Sequence, residues 1–263
     1  MKIINSHTHL LKNVSEEGLH GTIEDLKKDM AAGGINTCMV FAHFGGEKID
    51  YATSELIELV KSDSKFNLIY AIETKKNLVA QRKEVEKYFK LGLIKGIKVH
   101  LGYDWIYPED KKLIPFYKLC EKYDYPVIFH TGDTYGGKAK VKYAHPLAID
   151  SLAVDRPSLK IIIAHIGNPW VLDAAEVVYK NKNVYGDISG LILDFTDKRG
   201  VEFTKKLVND FISYAGGNKL LFGTDFPLTN SATYIKFAKS LDLNSDEEEL
   251  MFHGNAEALF KLK

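Results

Sequence analysis

The chain alternates from one end to the other between short apolar runs of strand character and segments whose apolar residues recur at helical spacing. The runs cover residues 2–7, 37–42, 66–72, 94–99, 126–130, 159–164, 184–188 and 219–224. Helices are predicted between them over about 23–32, 51–61, 78–91, 111–123, 147–154, 169–179 and 201–214, with two more at 246–252 and 256–262. Local signals mark their ends: Thr22 with Asp25 caps the first, Gly33-Gly34 stops it, Pro169 occupies a first-turn position, and Ser245 with Glu248 forms a capping box. Strand–helix alternation argues a parallel sheet, and eight such units in a chain of this length argue closure into an α/β (β/α)8 TIM barrel. An open doubly wound sheet would carry a glycine-rich phosphate turn after the first strand. This chain has His7-Thr8-His9 there. With no linker, repeat or low-complexity tract, one domain spanning 1–263 is expected.

Composition narrows the function. Lys+Arg and Asp+Glu both number 35, so nothing marks a nucleic-acid footprint or a polybasic membrane anchor, and a small molecule is the expected partner. The two cysteines, Cys38 and Cys120, stand in no metal or redox spacing and suit a reducing cytoplasm. No apolar stretch approaches a membrane span or a signal-peptide core. A soluble cytoplasmic protein is therefore expected.

The polar residues are not scattered. Glu73, His100, His130, His165 and Asp225 each fall at the C-terminal end of a predicted strand, and His43 lies just past the second. In a barrel those ends share one mouth, the usual place for an active site. On a strand, side chains two apart leave the same face roughly 6–7 Å apart, so His7 and His9 aim at one point. Neutral imidazole is a common metal ligand, although a structural pair has the same spacing. By strand parity Asn5 points inward with His7 and His9, while Ile4 and Ser6 face the helices. Gly96 beneath Lys98 and His100, and Gly223 beneath Asp225, leave room at the barrel centre.

These residues carry a family resemblance. Ile-Asn-Ser-His7-Thr-His9, Phe129-His130-Thr131-Gly132, Ala164-His165-Ile166-Gly167, Phe222-Gly223-Thr224-Asp225-Phe226-Pro227 and the closing Gly254-Asn255-Ala256-Glu257-Ala258-Leu259-Phe260 resemble the amidohydrolase superfamily, in order and along the whole chain. The likeness is to its amidohydrolase-related branch of one-metal hydrolases and non-oxidative decarboxylases. The resemblance implies that His7, His9, His130 and Asp225 hold one divalent metal, with zinc expected and manganese an alternative. It also implies that Asp225 moves the proton of an activated water, and that His165 contacts a substrate carbonyl or joins as a weaker ligand. Lys98 has three readings: a carboxylated bridge between two metals, an amine that binds substrate anions, or a structural ion pair. His100 is a substrate-pocket candidate, and Glu73 a support for a ligand histidine.

The loop 133–143 carries three lysines and two tyrosines, and Trp105, Tyr107 and Trp170 are further candidates to wall the pocket. Together these point to hydrolysis of an amide, lactone or ester of a small, carboxylated substrate. The alternative is metal-dependent decarboxylation of an aromatic or unsaturated acid. A non-catalytic binding barrel is a third reading, and a homodimer is expected from the family alone.

Overall fold

The computed structural model describes residues 1–12, 18–42, 50–134 and 136–262. Eight parallel strands follow one another in sequence order: β1 (Ile4–His9), β2 (Thr37–Phe41), β3 (Phe66–Ala71), β4 (Ile94–His100), β5 (Val127–His130), β6 (Ile161–Ala164), β7 (Val184–Asp187) and β8 (Leu220–Leu221). Around them run α1 (Ile23–Gly33), α2 (Thr53–Ser62), α3 (Leu78–Lys90), α4 (Leu101–Asp104), α5 (Ile114–Tyr123), α6 (Ala148–Asp155), α7 (Val171–Lys180), α8 (Lys198–Ala215), α9 (Ser231–Ala238), α10 (Ser245–Glu249) and α11 (Asn255–Phe260). The sheet curls until its edges meet. Ser6 N–H donates to Phe222 C=O at 2.8 Å, Asp225 N–H to His7 C=O at 2.9 Å, and His9 N–H to Phe226 C=O at 2.7 Å. This is the TIM barrel that the alternation predicts.

Parity fails at one place, for a local reason. Asn5 pairs with Cys38 and Thr8 with Val40, so Ser6 and His7 together oppose Met39. That extra residue is a β-bulge, and it reverses which side chains face inward on its two sides. Ile4 therefore joins the barrel interior with Met39, Phe41, Ile69, Ile128, Ile162 and Leu221, while His7 and His9 still point into the mouth. Asn5 turns to the seam instead. Its amide donates to Thr224 Oγ1 at 2.8 Å and its carbonyl accepts the Thr224 N–H at 3.1 Å and the His7 N–H at 3.3 Å.

Helix ends match the expected caps at α1 and differ from them at α7 and α10. Thr22 and Asp25 form the expected capping box on α1. On α10 the box is Asn244 with Glu247, one residue earlier than Ser245 with Glu248. Pro169 lies outside α7, which begins at Val171. The helices α4 and α9 have no counterpart in the predicted elements. No helix among the described residues is long and apolar enough to cross a membrane.

The interior divides into two zones. Below the mouth it is apolar, and α11 contributes Ala256, Leu259 and Phe260 to the same cluster as Ile4 at the start of β1. That helix plugs the end of the barrel opposite the strand C-termini. Phe260 is fully buried there, so Phe260→Ala is expected to lower unfolding free energy by about 3–5 kcal/mol. A urea melt measures it.

Candidate metal centre

The bulged end of β1 delivers two imidazoles to one place. His7 is wholly buried and stacks on Phe41, their ring centroids 4.2 Å apart. Its Nε2 lies 3.6 Å from Asp225 Oδ1, and His9 Nε2 lies 3.3 Å from the same oxygen. One ligand-capable atom from each of His7, His9 and Asp225 falls within 4.8 Å of the others, and all three residues are buried. Asp225 reaches this position with a left-handed backbone, φ 60°. Gly190 lets it do so, because a Cβ there would meet Asp225 Oδ2 at 2.7 Å. Gly223 opens the same space, since a Cβ would stand 2.9 Å from His7 Cβ.

Charge states follow from burial and neighbours. Burial, then the Lys98 charge, pulls His7 down to about 3 against the opposing pull of Asp187 and Asp225. The ring is neutral, the form that ligates metal. Burial works to raise the Asp225 carboxyl, yet His7, His9 and His165 leave it well below the usual carboxylate range. Burial, with His165 and Lys98 adding to it, holds His130 well below the ordinary imidazole value. Burial also draws Lys98 down to about 8, with Asp187 and Asp225 opposing. The Lys98 ammonium sits 4.9 Å over the Phe41 ring and 3.2 Å from His7 Nε2.

His130 adjoins the His7–His9–Asp225 group through His165 and stands outside it. His130 Nε2 lies 2.8 Å from Asp133 C=O, and His165 Nδ1 lies 2.9 Å from Ser189 C=O. A carbonyl can only accept, so those ring nitrogens carry the hydrogens. The two remaining nitrogens, His130 Nδ1 and His165 Nε2, then face each other at 3.2 Å with lone pairs opposed. A cation or a shared proton relieves that opposition. Asp225 Oδ1 points the same way: it is buried and accepts no well-formed hydrogen bond among the described residues, a state that is costly for a carboxylate oxygen. The neutral His7 ring and the His9 ring beside an ionised, poorly satisfied carboxylate make a donor set that fits one divalent cation.

The remaining predicted residues divide. His100, in register with His130, lies in the mouth with ring centroids 6.1 Å apart, and the Tyr103 ring makes a T-shaped contact with each. Among the described residues the Glu73 carboxylate pairs with Lys76 at 2.6 Å and its backbone with the Gln81 amide, away from the ligand histidines. His43 lies outside the described residues, as does Tyr135 of the loop after β5. In that loop Lys140 Nζ stands 3.8 Å over the Trp105 ring, and Trp105 Nε1 donates to Lys138 C=O. Trp170 packs against His145, 4.7 Å between centroids.

Two residues escaped the sequence reading. Asp187 Oδ2 lies 3.0 Å from His7 Nδ1, and Ser189 Oγ lies 3.0 Å from both His7 Nδ1 and His165 Nδ1. The signal for Asp187 was present, because it ends β7 as Asp225 follows β8.

The sequence profile of the Amidohydro_2 amidohydrolase family matches residues 77–262, well over half of the chain. The chain belongs to that family. No curated protein matches it. Among solved structures it resembles an uncharacterised TIM-barrel protein of Bordetella bronchiseptica, with 22% identity, 99% of each chain covered and a TM-score of 0.79. It also resembles a probable 2-pyrone-4,6-dicarboxylic acid hydrolase of Acinetobacter baumannii, with 15% identity, 100% of each chain covered and a TM-score of 0.70. A dihydroxybenzoic acid decarboxylase of Polaromonas sp. JS666, solved with manganese and an inhibitor, gives 19% identity, 99% of this chain and 97% of that one covered, and a TM-score of 0.72. At these identities the likeness is one of fold.

If the family's barrel mouth holds a cation here, the loss of its donors shows directly. In chelator competition, His9→Ala and Asp225→Asn should each weaken zinc binding by more than the roughly 10–100-fold that loss of an outer-shell partner costs. Circular dichroism should show both variants folded.

Proposed function

We propose that the protein is a hydrolase that holds one divalent metal with His7, His9, His130 and Asp225 and cleaves an amide, lactone or ester of a small, carboxylated substrate. The observation that carries this reading is the convergence of His7 Nε2, His9 Nε2 and an ionised, poorly satisfied Asp225 Oδ1 at the barrel mouth. Zinc suits three imidazoles and a carboxylate, and manganese is the alternative. A bound divalent cation supplies positive charge that polarises a carbonyl and makes water a better acid at neutral pH.

The chain's own groups do the rest. Asp225 is the ionised base at the centre, placed to take a proton at its carboxylate and return it to a leaving group. His165 keeps its hydrogen on Nδ1 against Ser189 C=O, so Nε2 accepts a proton from the mouth and can later donate it. Lys98 adds a buried amine on the inner side of the site, and His100 lines it from β4. Both are suited to an anionic or polar substrate group.

The second reading is non-oxidative decarboxylation of an aromatic or unsaturated acid. The buried amine of Lys98 beside His7 favours a substrate carboxylate deep in the site, and the fold is shared with a decarboxylase as well as with a hydrolase. In that chemistry Asp225 or His165 delivers the proton that replaces carbon dioxide.

Incubation in 18O-water with carboxylated lactones, amides and esters, beside hydroxybenzoic acids, separates the two. Hydrolysis predicts one 18O atom in the acid product and no carbon dioxide. Carbon dioxide release without 18O in the organic product would sink the hydrolase reading. Under either reading a chelator should abolish turnover, and added zinc or manganese should restore it.

A further inference from the structure

We propose that Asp187 and Ser189 at the end of β7 form a positioning unit that sets the ring tautomers of His7 and His165 together, so that both turn an Nε2 lone pair toward the mouth. The inference deepens the functional reading above and rests on it for the roles of the cation, of His7 as a ligand and of His165.

Its basis is a count of donors and acceptors. Asp187 is buried, and a carboxylate can only accept. Its Oδ1 takes the Ser189 N–H at 2.9 Å, the His165 N–H at 3.1 Å and the Ser189 hydroxyl. Its Oδ2 faces His7 Nδ1 at 3.0 Å. The single hydroxyl hydrogen of Ser189 is thereby spent on Asp187, and Oγ has only lone pairs left for the two imidazoles. Oγ stands 3.0 Å from His7 Nδ1 and 3.0 Å from His165 Nδ1, and the Ser189 carbonyl adds a second acceptor 2.9 Å from His165 Nδ1. Every partner of both Nδ1 atoms is therefore an acceptor. Both rings must carry hydrogen on Nδ1, which leaves Nε2 bare on each.

The same carboxylate also shapes the backbone. His165 and Ile166 adopt left-handed conformations, φ 60° and φ 39°, that side-chain-bearing residues seldom take. The His165 N–H bond to Asp187 Oδ1 ties that turn to β7. Packing completes the unit: Gly223 brings His7 and Ser189 together where a Cβ would stand 2.9 Å from one and 3.0 Å from the other. One strand end thus orients a ring on β1 and another just after β6. Outer partners that orient ligand imidazoles are known to affect metal affinity. What distinguishes this unit is that it serves a ligand histidine and the proton-handling His165 at once.

The test reads the ring nitrogens of metal-free protein by 15N NMR and zinc affinity by chelator competition. Wild type should show His7 and His165 as the Nδ1–H tautomer. Asp187→Asn keeps the shape but offers an amide that can donate to His7 Nδ1. It should move His7 to the Nε2–H form and weaken zinc binding about 10–100-fold. Ser189→Ala leaves the carboxylate on His7, so it should keep the His7 tautomer and lose less affinity than Asp187→Asn. An Nε2–H form at either ring in wild type would overturn the proposal, and that spectrum decides even if Asp187→Asn does not fold. So would a folded Asp187→Asn with unchanged His7 tautomer and zinc affinity. Failure of wild type to bind zinc would count against the metal reading, while the NMR result would still decide the tautomers.

Discussion

The backbone seam between β1 and the segment after β8 is the contact on which the rest depends. Asp225 N–H donates to His7 C=O, flanked by the bonds from Ser6 to Phe222 and from His9 to Phe226. Those bonds close the barrel, and they also set the first and last strand ends side by side. Without the seam, His7 and His9 would stand at one edge of an open sheet and Asp225 at the other. Asn5 reinforces it from just before the bulge, because its one amide serves both Thr224 and His7. Fold closure and site assembly are one event here.

A buried cluster of imidazoles, carboxylates and an amine is expensive unless charge is kept low and polar atoms are matched. The mouth meets part of that demand by keeping His7 and His130 neutral. Asp187 is the best-matched group: its pull from burial is upward, yet His7, His165 and Lys98 hold its carboxyl far below the ordinary range. Asp225 remains poorly matched on Oδ1, and His130 and His165 set two lone pairs against each other. The arrangement is saturated on its outer side, against β7, and leaves its unmet acceptors toward the centre. Below it lie the apolar interior and the residues that α11 adds to it.

Much of this was legible in the chain. Thr22 and Asp25 announced α1 because a capping box needs only four consecutive residues. His100, His130, His165 and Asp225 could be placed at the mouth because parallel barrel strands all end on one side. The misreadings were of two kinds. Ser245 and Pro169 carried plausible local signals that a competing neighbour or loop overrode. Strand parity puts Ile4 and Asn5 on the wrong faces, because a bulge exists only relative to the partner strand and no period within β1 reveals it. Glu73 ends a strand like the others, but among the described residues its carboxylate pairs with Lys76 and its backbone with Gln81, both on its own chain segment.

By itself the sequence determined the strand–helix order, the barrel that order implies, and the gathering of polar side chains at one set of strand ends. Those properties depend on short-range periodicity and on a topology with few solutions. The opening pair His7 and His9 was therefore readable as half of a site. Only the tertiary structure decided which atoms meet: Asp187, 180 positions away, on His7 Nδ1, Lys98 on His7 Nε2, and His130 against His165. Such contacts are settled by register and ring orientation across the sheet, where one extra residue exchanges inside for outside and no local pattern records the choice.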